Sequence, residues 1–269
     1  MVLERKEDDK IKQKLIKQYD KSMANIEKQA EKAFLAYLND YMTYVSNQYE
    51  KYAIDTKSDE IDDDKAEEQA KKITNKIFNK KYRNKKTLDE IIKIYLVAAR
   101  IAEENFTETY LNNSGTIHAV NNKNLLKWLK KYGGDRIVAI DNTTKEITKK
   151  IIQEGLENGD STNDIVRRLT NSSENYNKVR SKRIALTEMH NSYMYSNHTC
   201  ANANGFKYKK WLTARDNAVR QSHKGLDGMV IKIDEFFPNG LEYPGDWRGS
   251  ASETINCRCV LRYMLTENF

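Results

Sequence analysis

The residue types that do chemistry crowd into one stretch of this chain, between Trp211 and Cys259. Trp211, Asp216, Arg220, His223, Gly225, Asp227 and Gly228 come first. Phe236, Phe237, Pro244, Glu253, Asn256, Cys257, Arg258 and Cys259 follow. His223, Cys257 and Cys259 offer one imidazole and two thiols, with Asp216 or Glu253 as a fourth donor. Soft sulfur combined with imidazole suits zinc. The Cys-x-Cys spacing is tighter than the common Cys-x2-Cys knuckle. In a strand it places both thiols on one face, which can meet His223 across the loop.

A second chemistry is proton transfer. His223 would act as general acid or base, oriented by Asp216 or Asp227, with Arg220 stabilising an anion. A His–Cys pair could also make a nucleophile. A third reading needs no reaction. Turn-forming residues and aromatics would fold a short β-rich module with little core, held by polar cross-links and buried free thiols. Asn256-Cys257-Arg258-Cys259 would pin the last strand against the His223 loop, and the module would serve as a docking surface. The remaining histidines add little: His190 and His198, with Cys200 nearby, read as packing or surface residues, and His118 has no partner in sequence.

These residues need elements to position them. From Ile26, the residues Ala30, Phe34, Leu38, Tyr41, Met42 and Val45 recur at three- and four-residue steps, the stripe of an amphipathic helix. The acidic stretch 58–68 reads as a break, a solvated helix start or loop, without the Gly turn and ordered spacing of a calcium loop. Ile91, Ile92, Tyr95, Leu96, Ala99, Ala102 and Phe106 mark a second helix, closed by a polar turn at Asn112-Asn113-Ser114-Gly115. After Gly133-Gly134, Thr143 and Thr144 are expected to cap a helix ending at Gly159. Ser161 and Asp164 form a shortened capping box for the next one, which holds Ile165, Val166 and Leu169. A separate long helix is expected from about Arg180 to Asn204-Gly205. The pattern then turns to β: a strand through Phe206, Tyr208 and Trp211, a second at residues 229–233, and a returning third in CVLRYML. The fold expected is therefore α+β: a mainly helical N-terminal region, residues 1–135, and a small α+β C-terminal module, residues 136–269.

Composition bounds the partners. The net charge of +7 permits contact with nucleic acid, and equally suits Lys-rich solvated surfaces. Three cysteines are too few for a disulfide framework. The charged start has no signal-peptide core, and no apolar run is long enough to span a bilayer. A soluble protein made in a cytoplasm, without membrane contact, is expected.

In order and spacing, Arg183-Ile184-Ala185 with Thr187-Glu188, then Trp211, Asp216, Arg220, His223, Leu226-Asp227-Gly228, then Pro244, Glu253 and Asn256-Cys257-Arg258-Cys259 resemble the Mu F-like minor head proteins of tailed phages. These are also called SPP1-type head morphogenesis proteins. The resemblance covers roughly residues 140–262. It implies a minor capsid protein encoded beside the portal, present in few copies inside the head after synthesis in the bacterial host. Its implied partners are the portal protein and the major capsid or scaffold protein, with double-stranded DNA as a further contact. Enzyme activity is not expected. The docking motif would comprise Arg183, Thr187, Glu188, Trp211, Asp216, Arg220, His223, Asp227, Gly228, Glu253, Asn256 and Arg258. No cofactor is required, but zinc on His223, Cys257, Cys259 and Asp216 is the metal to expect. Pro244 stands alone where the family often has paired prolines, a departure in the local loop. The alternative is a toxin-associated Mu F-type module, or a small metal-dependent hydrolase or nuclease using His223. The short chain remaining after Cys259 argues against a fused effector.

Overall fold

The computed structural model describes residues 2–53, 62–79, 82, 85–111, 134–214 and 216–267; side chains of 2–8, 85, 134–139 and 172–176 are not among those described. The polar turn at 112–115, His118, Gly133 and the first part of the acidic break lie outside the described residues.

The first helix, α1, runs Val2–Ala53 without a Gly or Pro to interrupt it. Its buried stripe includes Met23, Ile26, Ala30, Phe34, Leu38, Tyr41, Val45 and Tyr49. The three- and four-residue steps of that stripe are the periodicity seen in the sequence. Helix α2, Asp63–Ile77, starts at Asp62, whose carboxylate accepts the Lys65 N–H at 2.9 Å. It buries Ala66, Ala70, Ile73 and Ile77. Helix α3 spans Lys85–Tyr110.

Helix α4 spans Gly134–Glu157 and packs on α2. The cap expected at Thr143-Thr144 is absent, because both residues lie inside α4. The Thr144 and Thr148 hydroxyls instead donate to the carbonyls of Ile140 and Thr144, each at 2.8 Å, which satisfies a threonine in mid-helix. Gly159 ends the segment with φ 68°. Ser161 does cap the next helix, accepting the Asp164 N–H at 3.3 Å. That helix, α5, is one rod, Thr162–Ala203. The two helices expected here are continuous: the low-propensity residues Asn171 to Asn177 include no Gly or Pro that would break the ladder. Gly155 lets the two helices approach, since a Cβ there would sit 2.5 Å from Ile165 Cγ1.

After Gly205 come β1 (Tyr208–Leu212), the one-turn α6 (Gln221–Lys224), β2 (Val230–Lys232), the one-turn α7 (Ala251–Thr254) and β3 (Val260–Met264). The sheet is antiparallel in the order β2-β1-β3. Lys209 pairs with Ile231 on one side and Tyr263 on the other. The architecture is mainly helical α+β, as the sequence indicates. No described helix is long and apolar enough to cross a membrane.

The chain divides into two compact units, neither continuous in sequence. One joins Met1–Glu31, Ile91–Lys127 and Lys182–Phe269; the other joins Lys32–Glu90 and Trp128–Ser181. This partition differs from a division at residue 135, because α1, α3 and α5 each contribute residues to both units. The first unit carries the sheet. There Phe106, Tyr110, Phe206 and Tyr263 interlock with ring centroids 4.9–6.4 Å apart, and the Tyr263 N–H donates to the Tyr110 hydroxyl at 3.2 Å. These contacts seat β3 against α3.

Candidate functional site

Three turns and one helix face build the site. His223 comes from α6, Glu253 from α7, and Cys257 and Cys259 from the turn that enters β3. The two cysteines precede the strand rather than lying within it. Asn256 takes φ 54° just before them, a left-handed conformation that Asn tolerates well, and this bends the chain back. Thr187 on α5 secures that bend: its hydroxyl accepts the Asn256 N–H at 3.1 Å and donates to the Arg183 carbonyl at 2.8 Å. Arg220 donates to the Ile255 carbonyl one residue earlier.

The imidazole of His223 is 1% exposed and both its nitrogens are engaged. Nε2 lies 2.9 Å from Glu253 Oε2, and Nδ1 lies 3.5 Å from Cys259 Sγ and 3.7 Å from Cys257 Sγ. Ser222 Oγ and Asn239 Nδ2 also donate to the Glu253 carboxylate, at 3.0 and 3.2 Å. With three donors around it, Glu253 receives the Nε2–H and leaves the Nδ1 lone pair facing the sulfurs. Trp211 stands over His223 in an edge arrangement, centroids 5.1 Å apart, and meets Phe237 at 4.8 Å. The site is thus walled by aromatic surface.

Electrostatics follow from this packing. Burial alone would lower the His223 pKa, but the Cys257 hydrogen bond and the negative charge of Cys257 and Glu253 outweigh it and raise it. The hydrogen bond from Cys259 holds Cys257 well below an ordinary thiol, against the cost of burial. The same bond, with burial, pushes Cys259 up. Glu253 is lowered: burial opposes this, and the bonds from Asn239, Ser222 and His223 prevail.

The other motif residues divide into those that brace the site and those that face outward. Asp227 accepts the Thr213 N–H at 2.8 Å and pairs with Lys12 of α1 at 2.5 Å. Gly228, at φ 85°, donates its N–H to the Trp211 carbonyl at 2.8 Å, a turn that a side chain would strain. Glu188 accepts the Tyr95 hydroxyl at 2.7 Å, tying α5 to α3. Arg183 is exposed. Asp216 does not join His223 and the cysteines. Its carboxylate is 42% exposed and pairs with Arg258 at the surface, while its other oxygen accepts the Ala218 N–H at 3.0 Å. Among the described residues, His223, Cys257 and Cys259 are the group whose ligand atoms all lie within 4.8 Å of one another.

Two features escape a reading of the sequence. His190 is wholly buried beside this site, with its ring against Tyr19 at 5.3 Å. A signal was present: His190 is three residues after Thr187, so both fall on the face of α5 that meets the Asn256 turn. The second is a polar knot in the 242–248 loop. Buried Asp246 accepts the Glu242 and Arg248 N–H groups at 3.0 and 3.1 Å and the Arg248 Nε–H at 2.9 Å. Glu242 also meets His198 Nε2 at 3.1 Å and pairs with Arg248. Lone polar residues in a Gly-rich stretch gave no periodicity from which to foresee it.

Residues 145–262 match the family described as Phage Mu protein F like protein. Three curated relatives are similar over part of the chain. One is an uncharacterized protein, YqbB, of Bacillus subtilis, 30% identical over 144 residues, which is 51% of this chain and 47% of that protein. Another is the NAD(+)–arginine ADP-ribosyltransferase EFV of Enterococcus faecalis, 34% identical over 144 residues, 51% of this chain and 28% of that one. The third is the minor head protein GP7 of Bacillus phage SPP1, 37% identical over 60 residues, 21% and 20% of the two chains. The chain thus matches less than half the length of each relative. No solved structure matches.

Proposed function

We propose, from the premise that residues 145–262 belong to the Mu F-like phage head family, that this chain is a minor capsid protein of a tailed phage or prophage, acting in head morphogenesis. It binds the portal, or the capsid or scaffold protein beside it, during procapsid assembly, and stays inside the head. The observation that supports this best is how the family-ordered residues are used. Thr187, Arg220, His223, Asp227, Glu253 and Asn256 spend polar atoms on one another, on the backbone around them and, for Asp227, on Lys12. They build a rigid module instead of presenting a reactive group. A general base must reach its substrate, and His223 is enclosed with both nitrogens occupied. The exposed Arg183, Arg258 and Asp216 remain for a partner's surface.

The test is to purify procapsids and virions and look for the chain by mass spectrometry, then to capture the portal protein with tagged full-length chain. Few copies per head and a stable portal complex are expected; absence from both particles overturns the proposal. DNA contact is a further part of the reading, supported by the net charge of +7. Affinity for duplex DNA should then fall linearly with salt on logarithmic axes, because phosphate contacts release counterions. A flat response removes DNA from the list of partners.

A second reading is favoured by the similarity to the ADP-ribosyltransferase EFV: a Mu F-type module of the sort joined to a toxin. It predicts transfer of ADP-ribose from NAD to arginine by the purified chain, and no such transfer is expected here.

A further inference from the structure

The Cys-x-Cys turn, His223 and His190 form a zinc centre, we propose, that fastens the β3 turn to α6 and α5. The ligands are Cys257 Sγ, Cys259 Sγ, His223 Nδ1 and, closing the tetrahedron, the His190 imidazole. This goes beyond the head-protein reading and does not depend on it.

Geometry carries the argument. Zinc bonds of about 2.3 Å to sulfur and about 2.05 Å to nitrogen, at tetrahedral angles, put the sulfur and nitrogen ligands about 3.6 Å apart. His223 Nδ1 lies 3.5 and 3.7 Å from the two sulfurs. Those two separations match a tetrahedron around one ion; His190 lies outside the group whose ligand atoms are mutually within 4.8 Å and would close on the ion as it binds. All four ligand residues are buried, so the ion would be shielded from solvent, as structural zinc is.

The surroundings fit as well. A zinc-bound histidine commonly donates its other N–H to a carboxylate, which fixes the tautomer and ring plane. Glu253 does this for His223, and is itself oriented by Ser222 and Asn239. That is more positioning than an imidazole needs merely to fill space.

His190 supplies the second, independent observation. It is 0% exposed, and neither ring nitrogen has a hydrogen-bond partner among the described residues. A buried imidazole without partners is costly, and a metal bond removes the cost. The Cys257 thiol is the polar group that acts on the ring, although no hydrogen bond of ordinary length joins them. Two features hold the ring there. Tyr19 packs edge-on against it, and Gly245 at φ 76° leaves the space in which a Cβ would come 2.7 Å from His190 Cδ2. A small cavity lined by Val219, Arg220, Asn256 and Arg258 reaches His223 and Cys259.

The test uses the full-length chain purified without chelator. Elemental analysis should give close to one zinc per chain, and adding a strong chelator should expose two further thiols to a thiol reagent. Replacing zinc by Co2+ should produce a tetrahedral spectrum with a thiolate charge-transfer band. In the Co2+ form, His190→Ala should shift the ligand-field bands while the thiolate band remains. Glu253→Gln should weaken zinc binding roughly 10- to 100-fold. Cys257→Ser should abolish stoichiometric binding. If that variant fails to fold, the Co2+ spectrum of the unaltered chain still decides. Three results overturn the proposal: no zinc and no cobalt band in the loaded chain, a Cys257–Cys259 disulfide by mass, or a cobalt spectrum unmoved by His190→Ala.

Discussion

The two compact units solve the same problem by different means. The unit built from Lys32–Glu90 and Trp128–Ser181 is held by apolar stripes and rings. Tyr41 stacks on Tyr82 at 4.6 Å with Tyr37, Tyr44 and Phe78 around the pair, and α2 buries a row of alanines and isoleucines against α4. The unit that carries the sheet ends in short strands and one-turn helices, which offer little continuous apolar face. There, individual polar contacts stand in for area: Thr187 to Asn256, His223 to Glu253, Asp246 to Arg248. An apolar stripe is degenerate, because many residues fill it equally well. A polar lock is not, because each partner must be the right type at the right place. The motif residues from Arg183 to Cys259 all lie in the second of these units, whereas the first reads simply as helix.

Substitutions should break that contrast in a definite order. The largest effect belongs to Trp211→Ala, which empties the wall shared by His223 and Phe237; a loss of about 3–5 kcal/mol is expected by denaturant unfolding. Next comes acid. Burial alone would raise the Glu242 pKa, but the His198 and Arg248 contacts bring it down to about 2. A carboxyl lowered in the folded state stabilises above its unfolded pKa, about 4.3, and that stabilisation is lost as the pH falls towards 2. The loss should amount to roughly 2–3 kcal/mol, and Glu242→Gln should flatten the pH dependence. An unchanged slope in that variant means the knot is not the acid-sensitive element.

Smaller effects follow. Gly245→Ala must distort a left-handed residue and displace His190, at a cost of about 1–3 kcal/mol. Thr187→Val leaves the Asn256 N–H without an acceptor and should cost about 1–2 kcal/mol, read as a lower melting temperature. The stripe-built unit should be the more tolerant. Ala70→Gly in the middle of α2 is expected to cost about 1 kcal/mol from helix propensity alone. Should Ala70→Gly prove worse than Thr187→Val, the contrast between stripe and lock fails.

Lys209 shows why part of the site was not legible in advance. Its neighbours alternate with lysines, which reads as a solvated strand face. In the sheet, Lys209 shares the inward side with Trp211, its ammonium donating to the Ile233 carbonyl at 2.7 Å and lying 5.6 Å from the Phe237 ring. Burial lowers its pKa to about 8. Nothing in the alternation marked which lysine faced in, because that phase is set by the partners of β1 and not by β1. His190 escaped for a related reason: a histidine on a packed helix face looks the same whether it fills space or faces a thiol. What was legible had local causes. The stripes of α1 and α3, the Ser161 cap and the three strands follow from periodicity and turn chemistry. The order of His223, Glu253 and Asn256-Cys257-Arg258-Cys259 was also plain, while Asp216, expected beside them, lies at the surface against Arg258. The fused α5 and the interleaved units depend on contacts far apart in sequence.

The pairing of Lys12 with Asp227 has a kinetic consequence. Bringing together residues 215 apart carries a closure entropy that nearby contacts do not. On the ribosome, every residue of the stripe-built unit has been made by Ser181, before the sheet exists. That unit can collapse early, before the residues around Asp227 are made. The order of synthesis therefore separates two folding events that the finished molecule does not show. Pulse-labelled hydrogen exchange on the refolding chain should find α2 and α4 protected first, and the turn that carries Asp227 protected last.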